Sequence, residues 1–266
     1  MPTTTSPKKK AAPRKGAKAP KARMTLAETM RTLEKAGTAQ ARKTYARHGV
    51  TGPMFGVSFA TLKDLTKKIG VDHELALALW DTGNFDARNL AVKIVDPAGM
   101  SPADLDRWAG EGLPRMCGGY AAMVASETPY GAARLDAWLA SKDEVLRGAG
   151  WTLLGQLAQR DEALPDAVFE KRLDQIERTI HAAPNNELYG MNNALIAIGL
   201  RSPALRKAAL AAAKKIGKVE VDHGDTACET PDARGHIEKA WAHSTSKGFP
   251  SPAAHERTRD VPRRRC

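Results

Sequence analysis

A chain of 266 residues with 42% hydrophobic but only 5% aromatic residues can build one sizeable core or one extended repeat domain, packed largely with Ala, Leu, Ile and Val. Its net charge of +11 lies in the two ends: residues 1–24 hold eight basic and no acidic residues, residues 255–266 hold five Arg against Glu256 and Asp260, and the stretch between sums to about zero. Three cysteines (Cys117, Cys228, Cys266) make no disulfide framework, and neither a membrane-length apolar run nor an apolar signal core is present, so a cytoplasmic protein without membrane contact is expected.

Residues 1–23 are low-complexity Lys, Ala and Pro, which cannot bury a core. A disordered basic tail is expected, in which Lys8, Lys9 and Lys10 meet phosphates without regard to sequence. A solubilising or targeting tail has the same composition. Helical signals begin at Thr25, and helices are expected over Thr25–Ala36 and Gln40–Arg47. Pro53 and three glycines make Gly49–Gly56 a loop. From Gly56 to Pro97 the period of apolar residues predicts three short amphipathic helices, capped by Ser58, Asp72 and Asn84 and stopped by Gly70, Gly83 and Pro97. Ser101-Pro102 with Asp104 starts another, ending around Gly110–Pro114. Further helices are expected over Met116–Ala125, Tyr130–Ala140, a capping box at Ser141–Glu144 running to Ala158, Pro165–His181, Leu188–Leu200, Ser202 to Lys215, and Thr230 to His243. From Ser244 on the chain is polar and contains Pro, and a mobile tail is expected.

No helix of about three turns is stable alone in water, and nothing reads as alternating strands. Roughly a dozen short helices joined by tight turns make an all-α solenoid or bundle, spanning residues 24–243 with polar or basic tails at 1–23 and 244–266. Such a solenoid must segregate its charges onto one face to bind DNA, because its total charge gives no help. Trp80, Trp108 and Trp138 fall at helical spacing and are expected in the core. Arg88 is expected to brace Asp81 or Asp86.

The opening Gly56-Val57 and the run DHELALALWDTGNFDARNLAVKIVDP, Asp72 to Pro97, resemble the AlkD-like alkylpurine DNA glycosylases of the DNA alkylation repair family. Order, spacing and residue type agree over some forty positions, and a weaker resemblance continues to about Gly217. The resemblance implies a HEAT-like repeat α-solenoid whose concave basic face holds duplex DNA, with no cofactor and a monomeric chain. It also implies a Trp-Asp-x-x-Asp signature, whose second Asp stabilises the oxocarbenium-like sugar as an alkylated base leaves. Here the Trp position falls on Arg115 and the catalytic Asp position on Gly119. No carboxylate lies between Glu111 and Glu127, so no small shift of alignment supplies one, and the family's second aromatic falls near Ile196 or Ala197.

The remaining candidates for DNA contact are Arg115, Tyr120, Arg147, Trp151, Tyr189, Asn192 and Asn193. Arg147 matches the family's functional Arg, and an Arg at a groove mouth can hold a phosphate. Its other reading is a solvated helix face. Tyr120 follows two glycines that let a backbone come close to a phosphate. Asn185 and Asn186 suit a helix cap, whereas Asn192 and Asn193 lie deep enough in the helix to address a base edge. Asp222, His223, Asp225 and Cys228 form DHxDxxC, a weak metal candidate that a hydrogen-bonded turn explains equally. Three functions follow: a DNA-binding protein of the alkylation repair type, with excision of alkylated purines as its activity if it is an enzyme; a non-catalytic scaffold holding a protein partner in its groove; and a metal-dependent hydrolase built on DHxDxxC. A continuous basic groove would favour the first, and a mixed or apolar groove the second.

Overall fold

The computed structural model describes residues 23–112 and 117–264. The tail with Lys8, Lys9 and Lys10, and Arg115, lie outside the described residues. Every regular element is helical among those described: α1 (Leu26–Ala36), α2 (Ala39–Arg47), α3 (Phe59–Ile69), α4 (His73–Asp81), α5 (Phe85–Ile94), α6 (Pro102–Glu111), α7 (Cys117–Ser126), α8 (Gly131–Leu139), α9 (Glu144–Arg160), α10 (Asp166–Thr179), α11 (Asn185–Gly199), α12 (Pro203–Ile216), α13 (Ala233–Ser246) and α14 (Pro252–Arg257). No described helix is long and apolar enough to cross a membrane.

The caps lie largely where the sequence places them. Side-chain oxygens of Thr25, Ser58, Asp72, Asn84, Ser101, Ser202 and Asp232 accept first-turn N–H groups, each interaction worth roughly 0.5–2 kcal/mol. At Ser141–Glu144 the cap is Asp143, while Ser141 Oγ accepts from the Asp143 amide. α11 begins at Asn185, one turn earlier than its apolar period indicates, and has no side-chain cap. Asn185 instead exchanges two 2.8 Å hydrogen bonds with the backbone of Asp222 and pins that distant loop.

The helices stack in two rows. α5, α7, α9, α11 and α13 each pack on the next, and each also packs on a helix of the outer row: α4, α6, α8, α10 and α12. One continuous core results. Trp80, Trp108 and Trp138 are buried in it, with the first two rings stacked at 4.3 Å. The most extensive helix pairing is α9 on α11. A Cβ at Gly190 would stand 2.9 Å from Trp151 Cβ, so only glycine permits this approach.

Half-buried arginines stitch successive repeats. Arg88 lies over the Trp80 ring, donates to the Trp80 and Glu111 carbonyls, and pairs with the Glu111 carboxylate at 3.0 Å. It braces neither Asp81, which Arg107 takes at 2.7 Å, nor Asp86. The Asp86 carboxylate accepts the amides of Phe55, Gly56 and Val57 and holds the 49–57 loop. Arg201 caps the C-terminus of α9 by donating to the carbonyls of Ala158 and Asp161, and pairs with Asp166. A cation at a helix C-terminus is favoured because the unpaired carbonyls concentrate negative potential there.

The expected tail from Ser244 is folded as far as residue 264, which corrects its reading as mobile over that stretch. α13 runs to Ser246, and the chain then returns along the inner row as a strap. Ala253 N–H donates to Leu200 O at the end of α11. Arg257 donates to Gln159 O at the end of α9 and pairs with Glu162. Arg263, 1% exposed, forms a two-pronged pair with Glu127 just past α7 and donates to Val92 O and Lys93 O at the end of α5. Lys93 returns the contact through a 2.9 Å bond to Arg263 O. The strap thus crosses the C-terminal ends of four inner helices, placing arginines on carbonyls that would otherwise need water.

Candidate nucleic-acid interface

A cleft of about 480 Å³ opens along the inner row, between α7, α9 and α11, with His236 of α13 at its edge. Several positions singled out in the sequence meet there: Gly119, Tyr120, Trp151, Tyr189 and Asn193, with Asn186, Ile196 and Ala197 beside them. Helical spacing accounts for this. Gly148, Trp151, Thr152, Gly155 and Gln156 lie on one face of α9, and Tyr189, Gly190, Asn193, Ala194 and Ala197 on the facing side of α11. Glycine and alanine set the depth of the cleft, and the aromatic and amide side chains supply its chemistry. Trp151 is a wall residue whose indole N–H is buried without a hydrogen-bond partner. Gln156 and Gln159 also line the cleft and were not singled out; their signal was the same face of α9. His236, which the sequence offers only as a weak metal candidate, completes the polar lining.

Among the described residues no Asp, Glu, Lys or Arg lines this cleft. Gly119, which the resemblance sets against the family's catalytic Asp, lines the cleft, and the carboxylates that flank it in sequence are both committed elsewhere. Glu111 accepts the Trp80 indole N–H and the Arg88 guanidinium, and Glu127 clamps Arg263. The groove expected to be basic is therefore uncharged at its deepest described point. Its aromatic rings can stack on flat groups, and its amides can donate and accept.

The other candidates are placed differently. Arg147 is not a free phosphate ligand: it meets Glu187 at 2.6 Å and donates to the carbonyls of Ser141 and Lys142. The hydrogen bond to Glu187 raises its pKa above the ordinary arginine value and fixes the charge. Asn192 faces away from the cleft. It is buried, and its amide donates to Pro231 O at 3.0 Å. The DHxDxxC residues do not converge, and among the described residues no three His, Cys, Asp or Glu side chains are grouped to hold a metal ion. Asp222 accepts the Gly224 amide, His223 bonds Thr230 Oγ1 and meets the Tyr189 ring edge-on at 6.0 Å, and Cys228 is exposed. The loop thus backs a wall of the cleft.

Comparison with known proteins settles the lineage. The family model described as DNA alkylation repair enzyme matches residues 29–234. The chain belongs to that family. A solved structure described as "A new family of proteins related to the HEAT-like repeat DNA glycosylases with affinity for branched DNA structures" superposes with a TM-score of 0.74 at 32% identity, covering 85% of this chain and 95% of that one. The uncharacterized protein Lmo0209 of Listeria monocytogenes is 28% identical over 205 residues, 74% of this chain and 89% of its own length. Lin0241 of Listeria innocua, also uncharacterized, is 29% identical over 207 residues, with the same coverage. The alkylation repair family and the HEAT-like fold agree with the two rows of stacked helices. Within that family, this chain presents glycine where the resemblance implies the catalytic carboxylate.

Proposed function

We propose that this protein binds DNA along its inner row of helices, prefers branched over linear duplex, and does not excise bases through a positioned carboxylate. The observation that carries the reading is the cleft beside Gly119, whose described lining of aromatic rings and amides holds no Asp, Glu, Lys or Arg. A lining of that kind suits unstacked bases, which every aromatic face can accept, better than phosphates or a departing sugar cation. The structural neighbour's affinity for branched DNA supports the same reading, because bases at a branch are already partly unstacked. Losing a positioned electrostatic group costs about 10²–10³ in rate in other enzymes, so release of a cationic alkylated purine is expected to follow little more than its own lability.

The uncharged cleft also favours a second reading, a scaffold that holds a peptide. Binding measurements with the full chain separate the two. Four-way junction, fork and linear duplex of matched sequence are titrated by fluorescence anisotropy across a salt series, for wild type and the triple variant Lys8→Ala, Lys9→Ala, Lys10→Ala. The DNA reading expects tighter binding to the branched forms that survives loss of the tail lysines. Equal affinity for all forms, lost with those lysines, would sink it and favour the scaffold.

A further inference from the structure

We propose that Tyr120 is a partition at the branch point, stacking against the last base pair while the first bases of the two diverging strands enter separate clefts on either side of it. The inference rests on the branched-DNA reading and assigns its geometry.

Tyr120 lines the cleft between α7, α9 and α11, and it also lines a second cleft of about 550 Å³ bounded by α2 and the start of α3. Both volumes fall in the range of small-ligand sites, roughly 300–1,000 Å³. The lining of the second cleft is aromatic and hydroxylic, with His48 as its sole ionisable residue besides Tyr45 and Tyr120. A half-buried tyrosine that lines both of two clefts, whose described linings hold no Asp, Glu, Lys or Arg, has the form required to divide two base-bearing strands.

The ring is also fixed from beneath. Lys93 Nζ lies 4.7 Å from its centroid, and that ammonium is held by Arg263 O at 2.9 Å. Arg263 is in turn locked to Glu127 and to the end of α5. The buried cation polarises the ring and fixes its plane, so stacking costs little further ordering. Across the second cleft, the Tyr45 and Phe59 rings meet edge to face at 6.0 Å, giving a rigid opposite wall. Bases that have lost a stacking neighbour at a fork would regain it here, at least cost where they are already unpaired.

The full chain is titrated by anisotropy against a fork and a linear duplex of matched sequence, as wild type, Tyr120→Phe and Tyr120→Ala. Tyr120→Phe is expected to keep the fork preference, whereas Tyr120→Ala is expected to lose on the order of tenfold in fork affinity with little change on linear duplex. Permanganate oxidation of an unpaired thymine at the branch supplies an independent readout: protected by wild type, reactive with Tyr120→Ala. His48→Trp and Asn193→Trp, which fill one cleft each without altering Tyr120, are expected to remove the preference as well. They keep the test decisive if Tyr120→Ala does not fold. A wild-type fork preference and thymine protection that persist unchanged in these variants would overturn the partition and leave the branched-DNA reading standing. A wild type without fork preference would overturn both.

Discussion

Arg263→Ala tests whether the strap is part of the folded domain. The Arg263 side chain is 1% exposed and Glu127 is 16% exposed. Four donor contacts disappear together: two to Glu127 and one each to Val92 O and Lys93 O. Removing one partner of a buried pair typically costs 3–5 kcal/mol, most of it from the charge left behind. Glu127 retains some contact with water, so the lower end, about 3 kcal/mol, is expected. At roughly 2–4 °C per kcal/mol for a domain of this size, melting should fall by about 6–12 °C. Arg263→Lys keeps the charge but not the planar fork, and one ammonium cannot serve the carboxylate and both carbonyls, so an intermediate loss is expected. Thermal melts measure the global effect, and limited proteolysis across residues 247–262 detects detachment of the strap alone. An Arg263→Ala protein that melts within about 0.5 kcal/mol of wild type, the usual range for surface changes, and resists protease equally would refute the assignment of 244–264 to the fold.

Two further outcomes follow from the placement of charge. Arg147→Ala should destabilise the domain by roughly 1.5–3 kcal/mol, the worth of hydrogen bonds to a charged partner, yet leave the salt slope of DNA binding unchanged. A drop of about one in that slope would show that Arg147 contacts phosphate after all. His255 stacks on Phe249 at 4.3 Å, and desolvation, followed by Lys247, His243 and Arg259, lowers its pKa below 6.5 against the opposing pull of Glu256. Folding therefore favours the neutral ring, and its contribution is present above pH 6.5 and lost as pH falls through the lowered folded value. Protease resistance of the strap should weaken from pH 7.5 to 5.5, and His255→Phe, which keeps the ring without the proton, should flatten that dependence.

Local chemistry made the helices legible. Caps, glycine stops and apolar period are short-range signals, and they place α3, α4 and α5 almost to the residue. The cleft was legible too, because Trp151 on α9 and Tyr189 and Asn193 on α11 are fixed by helical spacing once the two helices are known to face each other. The roles of charged residues were not. Whether Arg147 meets a phosphate or Glu187 depends on a partner 40 residues away, and no periodicity encodes that choice. The strap was hidden for the same reason: its polar, Pro-containing sequence looks mobile because its anchor, Arg263, finds Glu127 at a separation of 136 residues. Asn192 was misread through its neighbour. Adjacent helical positions point about 100° apart, so Asn193 reaches the cleft while Asn192 turns to Pro231.

The same long-range pairing explains why the charge of this protein misleads. Its basic excess is terminal, yet part of the C-terminal share is spent inside the fold, where Arg257 and Arg263 neutralise helix ends and carboxylates. The two acidic residues that flank Gly119 in sequence are likewise consumed, Glu111 by Arg88 and Trp80, Glu127 by Arg263. Neither of these two carboxylates is free to swing into the cleft. The described lining beside Gly119 is a surface of rings and amides without Asp, Glu, Lys or Arg, with Lys93, itself held by the strap, against the Tyr120 ring. Such a surface can recognise bases by stacking and hydrogen bonding, but it offers no charge to a breaking glycosidic bond. This arrangement of paired charges supports the proposed retention of DNA by shape without base excision.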